Sequence, residues 1–293
     1  MDEQDRLAER FEAHRSHLRA VAYRLLGSLS EADDAVQETW LRLSRSDADR
    51  VENLSAWLHT VVSRLCLDML RSRSARREEP IERQPAHQVR DDGGGDPEGE
   101  AVLIDSVGRA LLVVLDTLAP AERIAFVLHD AFAVPFDQIA PVVERSPATA
   151  KKLASRARHK VRGTPAASAD GLAAQRRVVD AFLAAARDGD LEALLTVLAP
   201  DVVRRADRAA LPPGVPTTSR GARAVAEETR VLGRRARFAA PALVNGSVGV
   251  VVAPHGRLLL ALTFTVEDGR IAAYEVIADP VRLRGLELAV LDG

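Results

Sequence analysis

Between Arg145 and Arg162 the chain carries seven cations, Arg145, Lys151, Lys152, Arg156, Arg158, Lys160 and Arg162, together with His159 and no acid. So dense a run of like charge repels itself unless a polyanion lies against it. Each phosphate it neutralised would add about 0.9 to the salt slope of binding. Ser146-Pro147 just ahead is a cap followed by a residue suited to the first helical position. Thr149, Lys151, Lys152 and Ser155 therefore fall near a helix start, where base edges are read. Arg156, Arg158 and Lys160 fall further along, where phosphate contacts fix register. The plainer alternative is a solvated basic helix; a basic stripe on the second helix of a helix-turn-helix favours DNA.

A second constellation has the opposite sign. Glu31, Asp33, Asp34 and Glu38, with Gln37 and Trp40 beside them, form an acidic patch fit for a basic partner. Ordinary helix-start charge would explain such acids if they stood alone. They do not, because between positions 63 and 77 Arg64, Arg71, Arg73, Arg76 and Arg77 face only Asp68. A third set, Asp201, Asp207, His255, Tyr274, Glu275 and Asp279, holds the ionisable groups that acid–base chemistry would need. No pair among them has a spacing that demands catalysis. Asp201 reads as a residue preceding a strand, and His255 in Pro254-His255-Gly256 as an exposed turn tip.

Helices must position the first two sets. Leu18, Val21, Ala22, Leu25 and Leu26 share one face, and a helix restart follows with Ser30 as its cap. Ala35, Val36, Trp40, Leu41 and Leu43 make a second stripe, and Leu58, Val61, Val62, Leu65, Leu67 and Leu70 a third. Ile124, Ala125, Val127 and Leu128 mark one short helix; Phe136, Ile139, Ala140 and Val143 mark the next. A turn at Glu144-Arg145-Ser146 then leads into a helix packed through Ala150, Leu153, Ala157 and Val161.

After residue 171 the pattern changes to one or two helices followed by strand-like runs at Ala239–Val244, Val248–Val252, Leu258–Val266 and Ile271–Ile277. Asn245-Gly246 and Asp268-Gly269 are hairpin signals between them. The expected fold is a mostly α N-terminal part followed by an α+β domain. Its closing helix would present Leu283, Leu286, Val290 and Leu291 as an apolar stripe after Pro280.

The 293 residues suit two or three domains. Eight acids between Glu78 and Glu100, with Gly93-Gly94-Gly95, predict a flexible acidic linker over 77–100. The lone Cys66 excludes an internal disulfide and a cysteine-based zinc site, and its apolar run suggests a buried thiol. The charged N-terminus lacks a signal-peptide core, and no apolar run suits a bilayer, so a cytoplasmic location is expected.

The stretches Ala22–Ser28, Glu31–Trp40 and Ala56–Arg71 resemble region 2 of the extracytoplasmic-function sigma factors of the sigma-70 family. Leu118–Arg123 through Arg156–Arg158 is similar to their region 4. The resemblance implies a region 2 module over 8–76 and a region 4 helix-turn-helix over 101–163 that reads the −35 element. Asp33, Asp34, Gln37 and Glu38 would dock on the β′ clamp helices of core RNA polymerase, with the β flap as a further partner. A loop around Val51–Ser55, including Asn53, would capture an unpaired −10 base. Arg64, Arg71, Arg73 and Arg76 would contact promoter DNA beside it.

Residues 171–293 resemble the SnoaL-like, nuclear-transport-factor-like cone appended to some of these factors. The matching residues are Val179–Ala185, Gly189-Asp190, Leu194-Leu195, Asp201-Val202 and Asp279-Pro280. The chain departs from that pattern at Asp207-Arg208-Ala209 and lacks a tryptophan-leucine-proline motif in the linker. The implied role is modulation of the sigma core through intramolecular contact. The closing apolar stripe either packs across its own domain or docks in part on the region 2 or region 4 surface. A small ligand in the cone is a further possible partner. No catalytic residue, metal, cofactor or membrane contact is expected. The rival readings are a polymerase-independent regulator using the same helix-turn-helix, and a small-molecule enzyme or sensor in the cone.

Overall fold

The computed structural model describes residues 3–46, 53–77 and 108–291. The linker expectation, and Val51 and Glu52 of the loop expected to capture a base, lie outside them, whereas Leu54 and Ser55 of that expected loop are helical. Two compact units emerge. Among the described residues, the first comprises 3–46, 53–77 and 115–159, and the second 108–114 and 160–291.

Unit one is helical. Helices α1 (Glu3–Leu26), α2 (Leu29–Arg45) and α3 (Leu54–Arg77) bury the three expected stripes, with Leu18, Val21, Leu25, Leu43, Leu58 and Val62 wholly enclosed. Gly27 at φ +73° ends α1, its N–H donating to Tyr23 O at 2.7 Å; only glycine takes that conformation without strain. The cap of α2 is Ser28 rather than the expected Ser30: its Oγ accepts from Glu31 N, and Ser30 lies inside the helix. The sequence offers two serines there, and the left-handed Gly27 decides which one flanks the first turn. Cys66 is buried as expected, and burial pushes its thiol up.

Helices α4 (Arg109–Asp116), α5 (Pro120–Phe126), α6 (Phe136–Val143) and α7 (Pro147–Arg162) follow, with a π-helical turn (Val127–Ala131) after α5. Between α6 and α7, Glu144 adopts φ +56°, and Ser146 Oγ accepts from Thr149 N at 3.3 Å. The buried stripe of α7 is Ala150, Ala154, Ala157 and Val161; the expected Leu153 is only half-buried. Three alanines let α7 approach its neighbours closely.

Unit two is α+β. It contains α8 (Ala169–Asp188), α9 (Leu191–Val197), α10 (Ala222–Leu232), α11 (Pro280–Arg284) and one sheet of seven strands. These are β1 (Leu198–Ala206), β2 (Thr218–Arg220), β3 (Ala239–Val244), β4 (Ser247–Val252), β5 (Leu260–Glu267), β6 (Arg270–Ile277) and β7 (Leu288–Ala289), in the order β2-β1-β6-β5-β4-β3-β7. Only the β1–β6 pair is parallel. Both expected hairpins form, with positive φ at Asn245-Gly246 and Asp268-Gly269.

The closing segment differs from expectation. Helix α11 stops at Arg284 with Gly285 as its cap, and Leu288 and Ala289 pair with Val244 and Leu243 as β7. Leu283 is buried with Ala261 and Ile277, Leu286 packs beside them, and Leu291 packs against a second cluster of the same domain. The apolar spacing could suit either helix or strand, and a strand edge with two free ladder positions took the second half. A helical docking stripe therefore does not exist.

Candidate nucleic-acid and polymerase interface

Helix α7 turns its cations outward because its alanine stripe faces in. Lys151, Lys152, Ser155, Arg156 and His159 are exposed on the opposite face, with Thr149 half-buried in the first turn. Thr149 Oγ1 lies 2.9 Å from Ser146 Oγ, so this hydroxyl is held at the helix start. Arg158 differs from its neighbours: Nε and Nη2 reach Asp130 Oδ1 and Oδ2, each at 2.9 Å. This fork ties α7 to the π-helical turn. The tie was invisible in the sequence because its acid stands 28 residues upstream.

The acidic patch occupies one side of α2. Asp33, Asp34 and Gln37 are exposed and Glu38 half-buried, at helical spacings that align Asp34 with Gln37 and Glu38. Arg19 forks onto Asp33 at 2.6 and 3.1 Å, and Arg42 reaches Glu38 at 3.0 Å. These pairs are solvent-exposed, so each contributes about 0–1 kcal/mol and yields to a competing cation. Asp34 makes no ion pair among the described residues. Asn53 caps α3, its Oδ1 accepting from Ala56 N at 3.0 Å.

The arginines of α3 do not form one open basic face. Arg64 donates to Pro141 O at 3.1 Å, and Arg71 sits 3.6 Å from Glu144 and 3.8 Å from Asp68. Arg73 bonds Glu31 and donates to Leu26 O at 3.1 Å, and it lies 4.0 Å from Asp116. Arg123, 2% exposed, meets the same Asp116 at 3.3 Å. A relay Glu31–Arg73–Asp116–Arg123 thus binds α2 and α3 to the helix-turn-helix side of this unit. Arg76 lies in α3, but its side chain is outside the described residues.

Nearby, His17 and His59 stack at 4.8 Å, with the Phe132 ring edge-on to His17 at 5.3 Å and Arg24 over Phe132. Burial, then the neighbouring His17 and His14, lowers the His59 pKa from 6.5. Well above pH 6.5 neither folded nor unfolded chain protonates His59, and no stability is lost. As pH falls below 6.5 the unfolded chain takes a proton that the folded chain refuses, so stability declines until the lowered folded value is passed. Urea unfolding between pH 7.5 and 5.5 is expected to show a steeper loss for the natural chain than for His59→Phe. Parallel curves would remove His59 from the titration.

Three polar residues of unit two that the sequence singled out, Asp207, Glu275 and Asp279, are structural ties. Asp207 accepts from Ala278 N and Asp279 N, both at 2.9 Å, and from Arg282 Nη1 at 2.5 Å. Burial alone would raise its carboxyl, but those backbone N–H groups and the guanidinium outweigh it and hold the carboxyl low. Glu275 takes the other arm of Arg282 at 2.8 Å, and Asp279 caps α11. Asp201 is exposed within β1 rather than ahead of it. Pro254–Gly256 is a short 3-10 turn, with the His255 side chain outside the described residues.

Tyr274 lines a cavity, with Val276 on its side of β6 and Ile277 on the other, as alternation predicts. The buried polar group beside it, Arg204, Glu228 and Thr229, went unread in the sequence. Its one signal was the alternation Val202-Arg204-Ala206, which turns an arginine inward. Among the described residues no cluster of His, Cys, Asp and Glu could hold a metal, and no helix is long and apolar enough to cross a membrane.

Residues 10–76 match the family model of sigma-70 region 2, and residues 108–161 that of sigma-70 region 4. The chain is 40% identical to the ECF RNA polymerase sigma factor SigJ of Mycobacterium tuberculosis H37Rv, over 95% of this chain and 93% of that protein. It is 39% identical to the probable ECF RNA polymerase sigma factor SigI of Mycobacterium tuberculosis CDC 1551, over 71% and 72% of the two chains. The crystal structure of Mycobacterium tuberculosis SigJ aligns with 95% of this chain and 98% of its own, at a TM-score of 0.44 and 33% identity.

Proposed function

The chain belongs to the extracytoplasmic-function RNA polymerase sigma factors, and from that premise we propose how its surfaces divide the work of promoter recognition. It directs promoter-specific transcription initiation by RNA polymerase, binding the core enzyme and promoter DNA, and is not an enzyme. Residues 8–76 seat on the polymerase and handle the −10 element, and 101–163 read the −35 element. Residues 171–293, the SnoaL-like extension, modulate that core, and the protein acts in the cytoplasm beside the polymerase.

Asp33, Asp34, Gln37 and Glu38 dock on the β′ clamp helices. The weak exposed pairs to Arg19 and Arg42 exchange for lysines or arginines of the clamp. Helix α7 enters the major groove, with Thr149, Lys151, Lys152 and Ser155 toward base edges and Arg156 and Lys160 on phosphates. Arg158 serves first as the tie to Asp130 that sets the angle of α7. Asn53, at the start of α3, stands beside the loop that captures an extruded base, an event that costs a few kcal/mol of unstacking.

Arg64 and Arg71 are held by Pro141 and Glu144, so the conformation described here is a closed one. Polymerase binding frees both arginines for the −10 backbone by drawing α6 off α3, and Arg73 and Arg76 contact the same backbone.

The observation that carries the duplex reading is α7 itself: a buried alanine stripe against one neighbour and an unbroken cationic face opposite. Lys152→Ala and Arg156→Ala are each expected to weaken binding to a −35 duplex. Each should make the salt dependence shallower by about one unit per lost phosphate contact. Unchanged affinity and slope would take those residues out of the interface.

A further inference from the structure

A cavity of about 680 Å³ lies within unit two, between α8, α10 and the sheet. Domain interiors pack as densely as organic crystals, and voids cost stability roughly in proportion to their volume. A space of this size is what drug-sized ligands occupy, roughly 300–1,000 Å³. Its wall is apolar: Phe182, Leu183, Val250, Val252, Leu262 and Val276. Val231 also lines it and is 65% exposed, one of two large hydrophobic side chains so exposed among the described residues. An apolar residue left in water where a cavity meets the surface marks an entrance.

The polar floor specifies more. Arg204, 2% exposed, pairs with Glu228 and donates from its other terminal nitrogen to Pro216 O at 3.0 Å. Its charge is therefore cancelled and both ends of its fork are engaged. Thr229 Oγ1 donates to Val225 O at 2.7 Å, which spends its only hydrogen. In the 2.9 Å contact between Thr229 and Tyr274, the phenol must then be the donor. Burial pushes the Tyr274 phenol up to about 12, so it keeps its proton at neutral pH. With that proton committed to Thr229, Tyr274 Oη offers the cavity lone pairs alone. Glu228, ionised against Arg204, likewise only accepts.

We infer that this cavity is a binding site for a neutral, largely apolar ring compound that presents a hydroxyl to the Tyr274 and Glu228 oxygens. An organic acid would lay its oxygens against two acceptors over a floor with no net charge. Arg230 and Arg235 also line the cavity, so an anion held by them is the competing occupant and forms one arm of the test. Every lining residue falls between 182 and 276, outside both sigma regions, so the site stands apart from the promoter reading.

The full chain is titrated at pH 7 with three fluorescent probes: 1-hydroxypyrene, 1-methoxypyrene and pyrene-1-carboxylate. 1-Hydroxypyrene is expected to saturate one site and bind about tenfold tighter than its methyl ether, the value of one hydrogen bond to an otherwise unsatisfied acceptor. The carboxylate should bind more weakly than 1-hydroxypyrene. Tyr274→Phe is expected to narrow the gap between 1-hydroxypyrene and its methyl ether at least threefold. Leu262→Trp, which fills the cavity, should abolish binding of both; if that variant does not fold, Tyr274→Phe decides alone. Equal binding of alcohol and ether, tightest binding of the carboxylate, or no saturable binding would each overturn the assignment.

Discussion

Replacing Asp34 and Glu38 together with lysine is expected to abolish transcription with core RNA polymerase while leaving affinity for a free −35 duplex within about twofold. The two residues stand one turn apart on α2, Asp34 exposed and Glu38 half-buried, with the buried stripe Ala32, Ala35 and Val36 turned away from them. Surface substitutions of this kind change stability by about 0.5 kcal/mol or less, so the fold survives. The loss comes from the partner: two like charges set against a basic surface cost several kcal/mol, at least a hundredfold in affinity. Helix α7 lies elsewhere in the chain and keeps its cations, so duplex binding is the internal control. If both activities fell equally, a polymerase-independent regulator would be the better reading.

Arg204→Ala is expected to destabilise unit two by roughly 3–5 kcal/mol, the cost of stranding one partner of a buried ion pair. Arg204 is enclosed while Glu228 is 25% exposed, so water reaches the survivor and the lower end of that range applies. The paired replacement Arg204→Met with Glu228→Leu should recover most of the loss, because it removes both charges and keeps the volume. Urea unfolding followed by the transition of this unit measures it. A single variant as stable as the natural chain would show that water already solvates the pair.

Residue pattern explains how much of this was legible. The stripes of α1, α2 and α3, the turn before α7 and both hairpins could be read because each depends on local spacing or on a residue suited to positive φ. Local signals failed where two neighbours competed, as at Ser28 and Ser30. They failed again where a short apolar segment found a sheet edge, as at Leu288-Ala289.

Charge patterns were legible as patches but not as pairs. The cations of α7 other than Arg158 are as exposed as their run implied, whereas Arg64, Arg71, Arg73 and Arg158 are engaged by groups far away in sequence. Asp207, Glu275 and Asp279 were legible as polar candidates without a spacing that demands catalysis, but not as the ties to α11 that they form. Tyr274 was legible as a pocket candidate, but its neighbours Arg204 and Glu228 were not, because the three meet only once β1, α10 and β6 are side by side.

Run-off transcription with purified core RNA polymerase tests the central claim most directly. Adding this chain should yield a transcript with a defined start that core enzyme alone does not make, and the same mixture should elute as one complex at low salt. Failure of the folded chain to associate with core enzyme under those conditions would contradict the account.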